Sequence, residues 1–142
     1  MRNDANVQAV QAIYAAFVKG DVPAILDRLH ADVAWIHVGA PELPYGRAYH
    51  GREEVGRFFA DLGAVLDFTA FEPTAYVSEG DEVVALGHYE ATAKATGNQA
   101  RDEWAMRWTF RDGKVARYQA FVDTLSGAKN LGTVVSAASA TA

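Results

Sequence analysis

No cysteine occurs among the 142 residues. That excludes disulfide staples and thiolate nucleophiles, and it removes the usual sequence clue to a redox compartment. Lys and Arg number only thirteen against eighteen Asp and Glu, and they are scattered along the chain. A net charge of −5 without a basic cluster argues against a nucleic-acid partner, whose phosphates need a concentrated positive face. Long hydrophobic runs are missing too: nothing approaches the roughly 20 apolar residues that span a bilayer. The opening MRNDANVQAV also lacks the apolar core, roughly 7–15 residues long, of a signal peptide. No membrane partner is expected, and the cytoplasm is the expected location. The four histidines show neither His-x-His nor HExxH spacing, so no metal is expected. There is no glycine-rich phosphate loop, no dinucleotide fingerprint and no GxSxG among the few serines, Ser78, Ser126, Ser136 and Ser139. The sequence thus points away from organic cofactors and from serine hydrolysis.

What is present is an ordinary core. Half the residues are hydrophobic, enough for one self-supporting domain over 1–125, with a small, polar and partly disordered tail at 126–142. Val7, Val10, Ile13, Tyr14 and Phe17 recur at helical spacing, so the pattern predicts a helix over 4–19 capped by Asp4 and stopped by Gly20. Asp21 caps a second, shorter helix with Val22, Ile25, Leu26 and Leu29 as its stripe, and Pro23 is harmless in its first turn. Val33 to Val38 reads as a strand. Val55, Phe58, Phe59, Leu62, Val65 and Leu66 mark a third helix over 51–66. Gly56 and Gly63 each cost that helix ~1 kcal/mol relative to alanine, so it depends on packing its apolar face.

The second half changes character. Four strand-like runs, 68–78, 82–95, 99–110 and 114–123, are separated by EGDE, ATGN and RDGK, which carry the residues that tight hairpins need. Along 99–110, Trp104, Met106, Trp108 and Phe110 share one face while Glu103, Arg107 and Thr109 share the other. Helices followed by a meander make an α+β domain, with a curved sheet wrapping the helices and the aromatic face turned towards them. The other, mixed face is expected to pair two copies into a homodimer.

The segments AIYAAFVKGDVPAILDRLHADVAWIHVG, YHGREEVGRFFADL and WTFRDGKVARYQAFVDT resemble the SnoaL-like domain of the NTF2-like superfamily, over residues 5–125. That group includes ketosteroid isomerases, polyketide cyclases, limonene epoxide hydrolases and scytalone dehydratases. The resemblance implies a cone: three N-terminal helices packed in a strongly curved mixed or antiparallel sheet, with a pocket open at one end. The motifs are specific for the fold and poor for the activity. By the resemblance, His37 stands where the isomerases carry their aspartate base. Ile13, one residue before Tyr14, stands at their oxyanion-hole tyrosine, and Met106 at their oxyanion-hole aspartic acid. Ala120 stands at the last-strand aspartate of the epoxide hydrolases.

These residues frame the expected chemistry. His37, beside Trp35, is the candidate base, kept neutral by an apolar pocket; the alternative is a histidine hydrogen-bonded to a loop carbonyl. Tyr45, in the proline-shaped loop after the strand, is the candidate hydrogen-bond donor to substrate, with Tyr14 behind it, whereas Glu42 reads as a solvated loop residue. Phe17, Phe59, Trp104, Met106, Trp108, Tyr118 and Val122 read as wall residues around a small apolar molecule. His88 and Asp123 are secondary candidates: His88 shares a face with Glu90, read as the outer one, and Asp123 suits a cap at the strand end. Arg101, Asp102 and Glu103 read as a salt-bridged edge. The expected function is cofactor-independent acid–base chemistry on a small, apolar, oxygen-bearing substrate by an isomerase, cyclase, dehydratase or epoxide hydrolase. The alternative is a non-catalytic small-molecule binder or dimerisation protein on the same fold.

Overall fold

A computed structural model describes residues 3–37 and 42–133 of the chain. Helix α1 (Asp4–Lys19) has the expected bounds, but its cap lies one residue earlier. Asn3, not Asp4, is its N-cap and accepts a 3.1 Å hydrogen bond from the Asn6 amide, which leaves Asp4 in the first turn. Gly20, at φ 73°, ends it by taking the left-handed conformation that residues with a β-carbon avoid. Asp21 then caps α2 (Val22–Leu26), with its side chain 3.2 Å from the Ala24 amide.

Leu29, expected on that second helix, instead opens β1 (Leu29–His37), four residues before Val33. Leu29, Val33, Trp35 and His37 are all buried, with the ladder register shifting between Leu29 and Ala34. Val38 lies outside the described residues. A short strand, β2 (Ala48–His50), pairs antiparallel with β1 and has no counterpart in the expectations, because a three-residue strand shows no usable periodicity. Helix α3 (Gly51–Val65) follows and packs on β1 and β2.

The meander forms as expected: β3 (Leu66–Glu79), β4 (Glu82–Ala93), β5 (Gln99–Arg111) and β6 (Lys114–Val122). The β5–β6 hairpin turns at Asp112 and Gly113, with φ of 53° and 79°, as Asp-Gly hairpins do. The sheet order is β2-β1-β6-β5-β4-β3, with β1 parallel to β6 and every other pair antiparallel, so the sheet is mixed. Register shifts at Phe68/Ala70, Pro73/Ala75 and Thr109/Phe110 bend it, since an extra residue on one strand locally increases twist. Its concave face receives α1 on β3 and β4, and α3 on β1.

A fourth helix corrects the expectation of three. Helix α4 (Thr124–Leu131) starts two residues before the segment read as the tail and runs into it, with the Asp123 carboxylate accepting from the Ser126 amide at 2.9 Å. Ala128 and Leu131 are buried, and the helix packs on β5. The rest of that tail, from residue 134, lies outside the described residues.

Candidate functional site

The strand period of two decides which side chains meet. On β5, Trp104, Met106 and Trp108 are buried on the concave face; on β1, Trp35 and His37 are; on β6, Tyr118 and Ala120 are. Between this sheet and the helices lies a cavity of about 70 Å³. Its wall includes the candidates His37, Tyr14, Phe17, Trp35, Tyr45 and Phe59. It also includes Trp104, Met106, Trp108, Tyr118 and Val122. Two candidates lie elsewhere. His88 faces outward, 3.3 Å from Glu72, because it alternates with the inward Gly87 and Tyr89. Asp123 is an exposed helix cap. Glu42 is exposed, as its loop reading expected.

His37 is only 6% exposed. Its ring lies edge-on to Tyr45 at 5.3 Å and close to Phe58 at 5.2 Å. Its backbone amide donates to the Arg47 carbonyl, but its Nδ1 makes no hydrogen bond to any described residue. Burial disfavours the imidazolium and pushes the pKa down to about 4, so the ring is neutral across the physiological range.

Of the four positions where related families carry reactive groups, the three on strands are neighbours here. His37 pairs with Ala120 across β1–β6, and Ala120 pairs with Met106 across β6–β5. In this row only His37 titrates. Ile13 lines the cavity, and Tyr14 beside it supplies a hydroxyl. Tyr14 accepts from Trp108 Nε1 at 2.9 Å and donates to Met106 Sδ at 3.3 Å. Burial raises its pKa well above that of free tyrosine, so it stays a donor. A thioether is a weak acceptor, which leaves that O–H easily redirected to a stronger one.

A polar cluster that the sequence reading missed stands beside Tyr45. Asp102 was assigned to a salt-bridged edge, but it shares the parity of Trp104 and points inward. Its Oδ2 accepts from Tyr89 Oη at 3.2 Å and from Ser126 Oγ at 2.9 Å, while Arg101 pairs with Glu90. Tyr45 and Tyr89 both line the cavity. Burial, and then the Asp102 charge, pushes the Tyr45 pKa up to about 12. Counting by two from Trp104 would have found Asp102, and the Tyr89–Asp102 register pair follows from hairpin pairing. The role of Ser126 depends on α4, which small polar residues do not announce. Among the described residues, no group of three or more His, Asp or Glu is gathered as a metal ion would require. No helix among them is long and apolar enough to cross a membrane.

Known structures share this architecture. TerC, co-crystallised with polyporic acid, is 30% identical, with a TM-score of 0.83 over 90% of this chain and 98% of that one. An NTF2-like protein of Burkholderia pseudomallei K96243 is 27% identical, with a TM-score of 0.81 over 89% of this chain and 97% of the other. An NTF2-like protein of Burkholderia xenovorans LB400 is 26% identical, with a TM-score of 0.83 over 92% and 98%. No curated protein sequence matches the chain. The model of the SnoaL-like domain matches residues 10–118. With its bent mixed sheet closed by helices into an NTF2-like cone, the chain belongs to the SnoaL-like domain family.

Proposed function

We propose that the protein is a cofactor-independent acid–base enzyme acting on a small, apolar, oxygen-bearing molecule in this cavity. The observation that carries the reading is His37: a neutral imidazole, buried among aromatic rings on the cavity wall, with an unpaired Nδ1. It acts as the base for proton transfer next to a carbonyl, or for the related cyclisation or dehydration steps. A base whose conjugate acid has a pKa of about 4 is weak, so the developing oxyanion needs a donor. Tyr14 suits this better than Tyr45, reversing the order expected from the sequence. Its O–H is engaged only by sulfur and its oxygen is already polarised by Trp108, whereas the Asp102 charge beside Tyr45 opposes new negative charge there. The co-crystal of TerC with polyporic acid supports a small oxygenated ligand in a related chain. The same reading has two copies pairing through the outer sheet face, where Leu86, Ala105 and Phe121 stand in register across β4, β5 and β6.

The rival reading, ligand binding without turnover, draws on Met106 and Ala120 in the row beside His37. A panel of ketones and enones in D₂O separates the two: exchange of protons next to the carbonyl, followed by NMR, expected with the wild type and lost by 10²-fold or more in His37→Gln. Undiminished exchange in that variant removes His37 from the mechanism, and saturable binding with no exchange favours the rival.

A further inference from the structure

A second hollow, of about 150 Å³, adjoins the cavity. It opens between the end of α1, the start of α2, the C-terminal half of α3 and the start of β3. Phe17, Phe59, Leu62 and Phe68 line both hollows, so the two share one partition. On the outer rim of this slot stand Gly20, Val22 and Gly63, and both glycines are exposed. The slot therefore runs from the surface to the cavity wall. Its three phenylalanines are only half-buried. They gather round one hollow, whereas exposed apolar residues on a protein surface are ordinarily scattered singly.

The cavity itself, at about 70 Å³, is roughly half the ~150 Å³ that holds one benzene ring in an engineered apolar cavity, so a ring-sized guest displaces part of the wall. The half-buried wall residues are Phe17, Phe59, Phe68, Phe71, Tyr89 and Val122. Three of them are tied. Phe71 is stacked on Trp104 at 4.9 Å, and Val122 is in the ladder opposite Trp104. Tyr89 donates to Asp102, which also holds Ser126 of α4. Phe17, by contrast, meets Phe59 tilted at 6.1 Å and Phe68 edge-on at 5.3 Å. Turning a phenyl ring there breaks no hydrogen bond.

Gly63 adds a second observation. Glycine inside a helix costs ~1 kcal/mol relative to alanine. Nothing lies within 4 Å of the place its β-carbon would take, and its φ is not positive, so neither crowding nor backbone demands glycine there. What the missing side chain leaves is an open rim. We propose that this slot is the port through which small apolar molecules reach the cavity, with Phe17, Phe59 and Phe68 as a swinging gate and Val22 and Gly63 as its outer rim. This rests on the cavity being the ligand site, as in the proposed function, and adds the route to it.

A port sets rates and leaves affinity alone. Filling its rim raises the barrier equally in both directions, so entry and exit slow together while Kd stays. The probe is fluorobenzene, with exchange read from ¹⁹F line shapes and saturation transfer. Occupancy of the cavity is read from the Met106 methyl, which is on its wall and is told from Met1 by Met106→Leu. Fluorobenzene is expected to shift that methyl. Gly63→Leu and Val22→Trp fill the rim from opposite sides and lie outside the cavity wall. Each is expected to slow exchange by about tenfold with Kd held within about twofold, and where one does not fold the other decides. Gly63→Ala, whose methyl meets open space, and Asp123→Ala, which loosens α4, are expected to leave the rates within about twofold. Unchanged rates in both filling variants, faster exchange in Asp123→Ala, or a Met106 methyl that fluorobenzene does not move overturns the proposal. Repeating Gly63→Leu in a His37→Gln background keeps the two readings apart. Slowing that persists there stands whether or not the wild type turns over substrate, and turnover lost with His37 stands whether or not the rim controls entry.

Discussion

His37 carries a measurable penalty for its position. Its pKa is about 4 in the folded protein against about 6.5 in an unfolded chain, so only the unfolded state takes up a proton between those values. Stability is therefore full above pH 6.5, falls as pH drops towards 4 and levels off below, with a loss of up to about 3 kcal/mol. Urea midpoints measured from pH 4 to 8 should show this slope, and His37→Gln should flatten it. Turnover, for the same reason, should keep its acid limb near pH 4 rather than near 6.5. A second residue matters for its absent side chain. A β-carbon at Gly87 would overlap the Glu72 carbonyl oxygen and the Trp104 indole. Gly87→Ala is expected to cost roughly 1–3 kcal/mol or more and to displace Trp104, read as a changed tryptophan emission and a lower melting temperature. The sequence marks Gly87 only as a glycine inside a strand; that Trp104 lies over it comes from the β4–β5 register.

Among the elements, α4 joins the sheet to the loop that carries Tyr45: it packs on β5 and lies against that loop. Its start is held by Asp123 as N-cap and by Ser126 on Asp102, and its Gly127 lies beside Leu43 and Tyr45, so helix and loop share one contact. Asp123→Ala should destabilise α4 by ~1 kcal/mol, seen as faster amide exchange confined to 124–131. Asp102→Ala should speed the same amides and also release Tyr89, lowering the Tyr89 pKa, which burial first and the Asp102 charge second now hold up. If exchange in α4 is unchanged in both variants, the helix is anchored by Ala128 and Leu131 alone. Helices α1 and α3 and the long strands were legible because each repeats a period over several turns or pairs, and α2 because Asp21 and Pro23 mark its start. By contrast β2 is too short to show a period, the small and polar residues of α4 hide its apolar stripe, and the early start of β1 depends on its parallel pairing with β6.

For the whole molecule, the two faces of the sheet divide the work. The concave face is aromatic and surrounds the cavity, while the convex face leaves Leu86 and Phe121 exposed at 41% and 52%. Their row with Ala105 sits amid ion pairs such as Arg107 with Glu82, a pattern of apolar centre and charged rim common to subunit contacts. If two copies pair there, Phe121→Glu should shift sedimentation from dimer to monomer with the fold retained by circular dichroism. A wild type that sediments as a monomer at micromolar concentration would remove this pairing.

Sequence alone determined the order of the first three helices and the hairpins and the aromatic face of β5, because each rests on a local period or a family motif. Tertiary structure decided what His37 meets. Burial depth, the pairing of Trp108 but not of Trp35 or Trp104, and the meeting of Asp102 with Ser126 depend on strands and helices far apart in the chain. No local pattern encodes those distances; they arise only when the sheet bends and the helices close it.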